Sequence, residues 1–334
     1  MFKFILIRLL QMIPVLVVIS AITFFMVRLA PGGPFSQERQ VDERILERLN
    51  EAYGLNDPMP VQYWNFLVNI TPKRFDLEGI LAFDLKAGLG IDFGPSYAYE
   101  GRTVNGLIKE SFPVSLQLGL TALVIALILG IPVGTLAALK PNTRWDYIPM
   151  STAMVGICLP TFVLGPLLVL VFAMWLDWFP PSQWSPVYGG GFWETVRHRF
   201  LPCLTLGFYY AAGLARLTRG GVLEVMSQDY IRTARAKGLS EWTVVVKHGL
   251  RAGLMPVISY LGPVIAAILS GSFIIEMIFQ VPGLGRHFIN AASNRDYTMV
   301  MGTVMFYATF IIVMNLIVDV ILVAMNPKLK FQST

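Results

Sequence analysis

The chain has 334 residues, of which 55% are hydrophobic and only 14% charged, with a mean hydropathy of +0.60. Soluble domains carry roughly 25% charged residues, so the composition excludes one, and long uncharged runs point to membrane-spanning helices. The net charge of +5 reads as Lys and Arg gathered in cytoplasmic loops, not as a surface for nucleic acid.

In chain order, residues 9–27 are uncharged throughout. The run is too long for a signal-peptide core and no A-x-A site follows, so it reads as an uncleaved first span. Further apolar blocks cover residues 111–139, 147–176, 200–215, 252–275 and 297–318, which gives six spans, the fourth only if it continues towards Arg219. Pro132, Pro160 and Pro166 lie inside these blocks, as membrane helices permit. Gly119, Gly130, Gly134, Gly262 and Gly271 predict close helix packing.

Between the first two spans lies a soluble segment with a mixed-charge helix over 41–55. Tyr63, Trp64, Phe66, Phe75, Phe83, Phe93, Tyr97 and Tyr99 follow it. It reads as a small cap packed on the outer ends of the spans, with contact to a soluble partner as the further possibility. Lys3, Arg8, Lys140, Arg144, Lys328 and Lys330 fall on the side that the positive-inside rule assigns to the cytoplasm. Both termini are therefore expected there.

Catalytic motifs are missing. No G-x-x-x-x-G-K-[ST], H-E-x-x-H or G-x-S-x-G occurs, and His198, His248 and His287 lie on different loops. Cys158 and Cys203 read as small buried apolar residues without metal-ligand spacing. VPGLGRHF, residues 281–288, has no Lys partner and reads as an outer turn. Glu276 reads as solvent-accessible at the outer end of the fifth span. Asp319 reads as paired near the inner end of the sixth, with an ion relay as the alternative. No metal, nucleotide or cofactor site is expected in the chain itself.

The informative stretch is YIRTARAKGLSEWTVVVKHGLRAGLMP, residues 230–256. Ile231, Ala234, Arg235 and Gly238 share one helical face at i, i+3, i+4 and i+7. Small residues there would permit close approach to another surface, and Arg232, Arg235 and Lys237 supply positive charge. Gly238 can end the helix with positive φ. Such a helix suits docking on another protein, with anionic lipid as the alternative partner. Val246 and Leu250 are expected to pack the return path.

RTARAKG, residues 232–238, resembles the EAA loop of ABC importer permeases in the variant of the peptide and nickel permease family. The leading Glu of the general motif is missing here, and its downstream Leu-Pro is displaced to Met255-Pro256. The likeness extends over the N-terminal FKFILIRLLQMIPVLVVISAITFFMVRLAPGGPF, then FPVSLQLGL, LGIPVGTLAALKPNTRWD, LARLTRGGVLEVMSQDYIRTARAKGLS, SGSFIIEMIFQVPGLGRHFINAASNRDY and IVDVILVAMNPKLK, in that order. One departure is a longer stretch at residues 71–89.

The resemblance implies an all-α membrane protein with the type I ABC importer permease fold, and no catalytic site of its own. It implies a first helix at 1–30, an extracytoplasmic cap at 31–110, a five-helix core at 111–325 with its coupling loop at 220–252, and a cytoplasmic tail at 326–334. Tyr230, Ile231, Arg232, Thr233, Ala234, Arg235, Ala236, Lys237, Gly238 and Leu239 would form the coupling helix. Implied partners are a homologous second permease, two ABC ATPase subunits that bind ATP and Mg, an extracytoplasmic substrate-binding protein and membrane lipid. Peptides are the expected cargo. A nickel complex, glutathione or an oligosaccharide is the alternative within the family, and an ion-coupled secondary transporter the alternative outside it.

Overall fold

The computed structural model describes residues 2–29, 47–48, 50–51, 53–185, 189–269 and 272–325. Most of the predicted 41–55 helix, Gly271 and the 326–334 tail lie outside them. The described residues are helical, joined by turns and loops. They form two compact units, Met1–Ser115 with Pro282–Ile312 and Leu116–Val281 with Val313–Thr334.

The first unit begins with α1, Phe2–Leu29. Its exposed face is apolar, through Leu10, Ile13, Val18, Ile22 and Met26, which suits contact with lipid. The cap sits on its other face. In α2, Met59–Ile70, Pro58 and Pro60 start the helix, where a missing N–H costs nothing. Tyr63 from α2 reaches Ser20 Oγ with its hydroxyl at 2.9 Å, and Gln62 Oε1 accepts from Arg28 Nε at 3.0 Å. The guanidinium of Arg28 also lies 3.6 Å over the Phe24 ring.

The longer stretch noted in the sequence folds as two short helices, α3 (Leu77–Leu81) and α4 (Leu85–Leu89). Asp76 and Asp84 cap them by accepting from backbone N–H groups. Phe83 then meets Phe112, which also packs edge-on against Phe306 and Phe310. The expected seating of the cap on the ends of spans is thus carried by aromatic contacts.

Helix α5, Val104–Leu139, begins seven residues before its apolar block, because Thr103 Oγ1 accepts from Gly106 N and caps it there. The PGLG segment is more than a turn. Only residues 281–283 are irregular, and α14, Leu284–Ser293, starts directly after them. The Leu284 amide is tied to Ser115 Oγ at 2.9 Å. The buried carboxylate of Asp296 then accepts from the backbone N–H groups of Ala98 and Met299 and from the Ser96 hydroxyl. It opens the last helix, α15, Tyr297–Met325.

In the second unit the predicted third span is broken. Helix α6, Arg144–Cys158, and helix α7, Thr161–Leu168, which continues as a π-helical stretch Val169–Trp175, are bent by 114° relative to each other. Leu159 is forced into extended backbone (φ −80°, ψ 120°) by the ring of Pro160. The helix cannot pass that point and restarts beyond it. Among the described residues, five helical stretches are long and apolar enough to cross a membrane, α12 and α13 counting together as one, and the bent pair makes the sixth when counted as one span.

Helix α8, Phe192–Met226, extends the predicted fourth block at both ends. Small residues bring neighbours close, as predicted. A Cβ on Gly119 would stand 2.6 Å from the Ile268 carbonyl, and one on Gly130 2.7 Å from Leu214. Gly134 and Gly262 leave equally little room, against Ala215 and Val318. Helix α13, Phe273–Ile278, carries Glu276, which is fully buried. This corrects the expectation of solvent access, since the helix packs its acidic face inward. Cys203 is buried as expected, whereas Cys158 is exposed beside the Pro160 bend.

Candidate coupling site

The site grows out of the end of α8. After Ser227 the chain extends at Gln228 and forms α9, Asp229–Ala236. Asp229 in its first turn and Arg235 in its last suit the helix dipole, and Asp229 also pairs with Arg232 at 3.5 Å. The end of α9 is a Schellman motif. Gly238, at φ +78°, donates to the Arg235 carbonyl at 2.9 Å, and the Leu239 N–H reaches the Ala234 carbonyl at 3.4 Å. The sequence expectation for Gly238 therefore holds in its backbone angle. A Cβ there would meet nothing of this chain within 4 Å, so Gly238 takes no part in packing within the hairpin.

Ser240 caps the return arm, which comprises α10 (Glu241–Thr243), a π-helical stretch (Val244–Gly249) and α11 (Leu250–Gly253). Arg235 bridges to its first turn, with Nε 2.8 Å and Nη2 3.3 Å from the two oxygens of Glu241. The apolar stripe of α9 turns inward. Ile231 and Ala234 are buried with Val244, against Val225 and Met226 of α8. This corrects the reading in which that stripe faces another protein, because it is already spent on closing the hairpin. The return arm packs through Val244 and Val245, while Val246 is exposed.

Two more contacts lock the hairpin to α8. Gly221 and Gly253 bring the backbones so close that a Cβ on Gly253 would stand 2.9 Å from Val222 Cα. A Cβ on Gly249 would be 3.0 Å from the sulfur of Met226. The chain then enters α12, Met255–Leu269, with Pro256 in its first turn. What stays exposed on α9 is a polar, basic surface: Tyr230, Arg232, Thr233, Arg235, Ala236 and Lys237, with Leu239 just beyond.

An open cavity of about 810 Å³ lies beside the hairpin. The inner wall is the end of α5 and the outer wall the return arm, with Trp242 77% exposed and the Arg235–Glu241 pair at its edge. In the same unit, Asp146 of α6 is held by Arg219 of α8 through Nε at 2.5 Å and Nη2 at 2.7 Å. It also accepts from the Asn142 amide at 3.0 Å. Sequence reasoning passed over this pair, although both residues stand inside quoted motifs. The available signal was one acid at the start of a span and one arginine near the end of another.

Chemically, the arrangement holds no nucleophile–base pair. It is a short helix presented at the tip of a hairpin whose base is fused to two long helices, which suits the transmission of force.

Two family descriptions match the chain. Residues 130–331 match the binding-protein-dependent transport system inner membrane component, and residues 1–119 match the N-terminal portion of such a membrane component. The oligopeptide transport system permease protein OppB of Haemophilus influenzae is 42% identical over 331 residues, covering 99% of this chain and 100% of the relative. OppB of Salmonella typhimurium is 42% identical with the same coverage. The dipeptide transport system permease protein DppB of Bacillus subtilis is 42% identical over 316 residues, 94% of each chain.

Proposed function

The chain belongs to the family of binding-protein-dependent transport system inner membrane components, and from that premise we propose that it is the permease subunit of an ATP-driven importer of peptides. Peptide cargo follows the oligopeptide and dipeptide systems among its relatives. It pairs with a second, homologous permease. Two ABC ATPase subunits, which bind ATP and Mg, supply the energy, and a binding protein outside delivers the substrate. The chain itself performs no catalysis. Both termini and the α9 hairpin face the cytoplasm, where the basic loops belong.

The observation that carries this reading is the construction of the hairpin. Its apolar side is buried within the chain, and its polar side, with Arg232 and Lys237, is left to meet another surface. Charges around a small exposed helix give orientation and selectivity to docking. Because the glycine contacts and the buried cluster fix α9 to α8, a displacement of α9 by closing ATPases is passed to the spans and does not dissipate in a loose loop.

Single cysteines at Arg232, Ala236 and Lys237 of the assembled transporter test this directly. They are expected to cross-link to an ATPase subunit, and a cysteine at Trp242 on the return arm serves as comparison. Complexes that contain the ATPases yet give no cross-link from α9 would refute the coupling assignment. Competition for uptake by peptides, and none by nickel, glutathione or oligosaccharide, is the expected result for the cargo.

A further inference from the structure

The exposed surfaces of the spans differ in chemistry. On α1 they are mainly Leu, Ile, Val, Met and Phe, with Arg8 and Gln11 near its start, and on α5 beyond Gln117 and Thr121 they include Val124, Ile128 and Leu136, as hydrocarbon contact requires. On α8 the exposed face carries Tyr209, Arg216, Gly220 and Glu224, which follow one another along a single stripe of the helix. The adjoining face of α12 exposes Ser259 and Tyr260.

Tyr209 and Tyr260 are 38% and 40% exposed, and both lie within helices long and apolar enough to cross the membrane. The two stripes are neighbours, since a Cβ on Gly213 of α8 would stand 3.7 Å from the Tyr260 hydroxyl. Tyr209 also packs edge-on against Tyr210, with ring centroids 5.2 Å apart. Ionisable and hydroxyl groups inside a span almost always face a protein interior or a water-filled cavity. The lipid-like faces of α1 and α5 give them neither.

We propose that Tyr209, Arg216, Ser259 and Tyr260 form one wall of the transport route. The proposal rests on the reading of the chain as a peptide permease. The wall suits an extended peptide: tyrosine rings pack against varied side chains, while hydroxyls and the guanidinium meet main-chain carbonyls or the terminal carboxylate. Aromatic and hydroxyl groups spaced along two helices tolerate many side chains, as an importer of varied peptides needs.

The test uses the assembled transporter in membrane vesicles, with Cys158 and Cys203 replaced by Ala. Single cysteines are placed by Tyr209→Cys, Arg216→Cys and Ser259→Cys, and at the lipid face by Val124→Cys and Ile128→Cys. A charged, membrane-impermeant methanethiosulfonate, applied from both sides, is expected to modify the first three roughly tenfold faster than the last two, because the reagent needs water to reach them. Equal rates would overturn the proposal, whether lipid or a tight contact with another subunit covers the face.

A second arm asks about function. Gly213→Trp, whose Cβ would already touch Tyr260 at 3.7 Å and whose indole would fill the wall, is expected to abolish uptake, whereas Ile128→Trp leaves it unchanged. Uptake that survives Gly213→Trp in an assembled complex overturns the assignment. Failure of the peptide reading is visible separately, as an unsubstituted transporter that takes up no peptide whatever the labelling rates.

Discussion

A side chain at residue 238 would touch nothing else in this chain, so within the hairpin a substitution acts through the backbone. At φ +78° an L-residue is strained by about 1–2 kcal/mol, and Asn bears this region better than a β-branched residue. Gly238→Val is therefore expected to loosen the end of α9 and lower peptide uptake per ATP hydrolysed, while Gly238→Asn stays near the parent. Equal coupling in both variants would remove the αL cap from the mechanism. The glycine was legible in sequence because its conformational use is local.

His287 was not legible, because its setting is assembled from distant residues. Burial, followed by the nearby charges of Arg286 and Arg102, pushes the imidazole below its ordinary value of 6.5 against a smaller opposite pull from Glu110. The unfolded chain therefore takes up a proton there before the folded one does. Its contribution to stability is present above the ordinary value and is lost as pH falls from there towards the folded one. Thermal unfolding of the assembled transporter is expected to fall on acidification through that window, and His287→Gln to flatten the fall. An unchanged slope would show that His287 does not contribute.

At the scale of elements, the Asp146–Arg219 bridge ties α6 to α8. The Asp146 side chain is 3% exposed and that of Arg219 29%. Removing the arginine strands a buried carboxylate, the costly way to break such a pair at about 3–5 kcal/mol. Removing the acid leaves a guanidinium that solvent reaches. Arg219→Gln is thus expected to lower the melting temperature in detergent well beyond Asp146→Asn, and the reverse order would contradict the burial argument.

The helices themselves were mostly legible, since apolar runs mark where a span must lie. Their ends were less so. Thr103 extends α5 past its apolar block, and charged residues continue α8 at both ends, because hydropathy registers the bilayer and capping registers the helix. In the sequence Pro160 looks like any other proline tolerated inside a span. Prolines inside spans are common, and Pro132 and Pro166 lie within intact helices. Whether Leu159 goes extended depends on the packing around it, which a one-dimensional reading lacks.

At the scale of the whole molecule, the bent pair decides the topology. If α6 and α7 together cross the membrane there are six spans; if they turn back there are five, and the α5–α6 turn lies opposite the α9 hairpin. Helix α8 serves as a ruler. Asp146, at the start of the pair, is bonded to Arg219, and the Trp178 carbonyl, just after its end, accepts from Arg197 Nη2 at 2.9 Å. Arg197 and Arg219 are about 33 Å apart along a helix, close to the roughly 30 Å hydrocarbon core of a bilayer. The pair is thus tied to α8 at two points one span-length apart, as a bent span requires and a re-entrant loop does not. The charges agree, since Lys140 and Arg144 beside the turn and the basic residues of the hairpin then share a side. A reporter of membrane sidedness inserted at Asn142 and at Ser240 is expected to report the cytoplasm in both cases, and at Gly189 the opposite side. Agreement between Asn142 and Gly189 would instead make the pair a re-entrant loop.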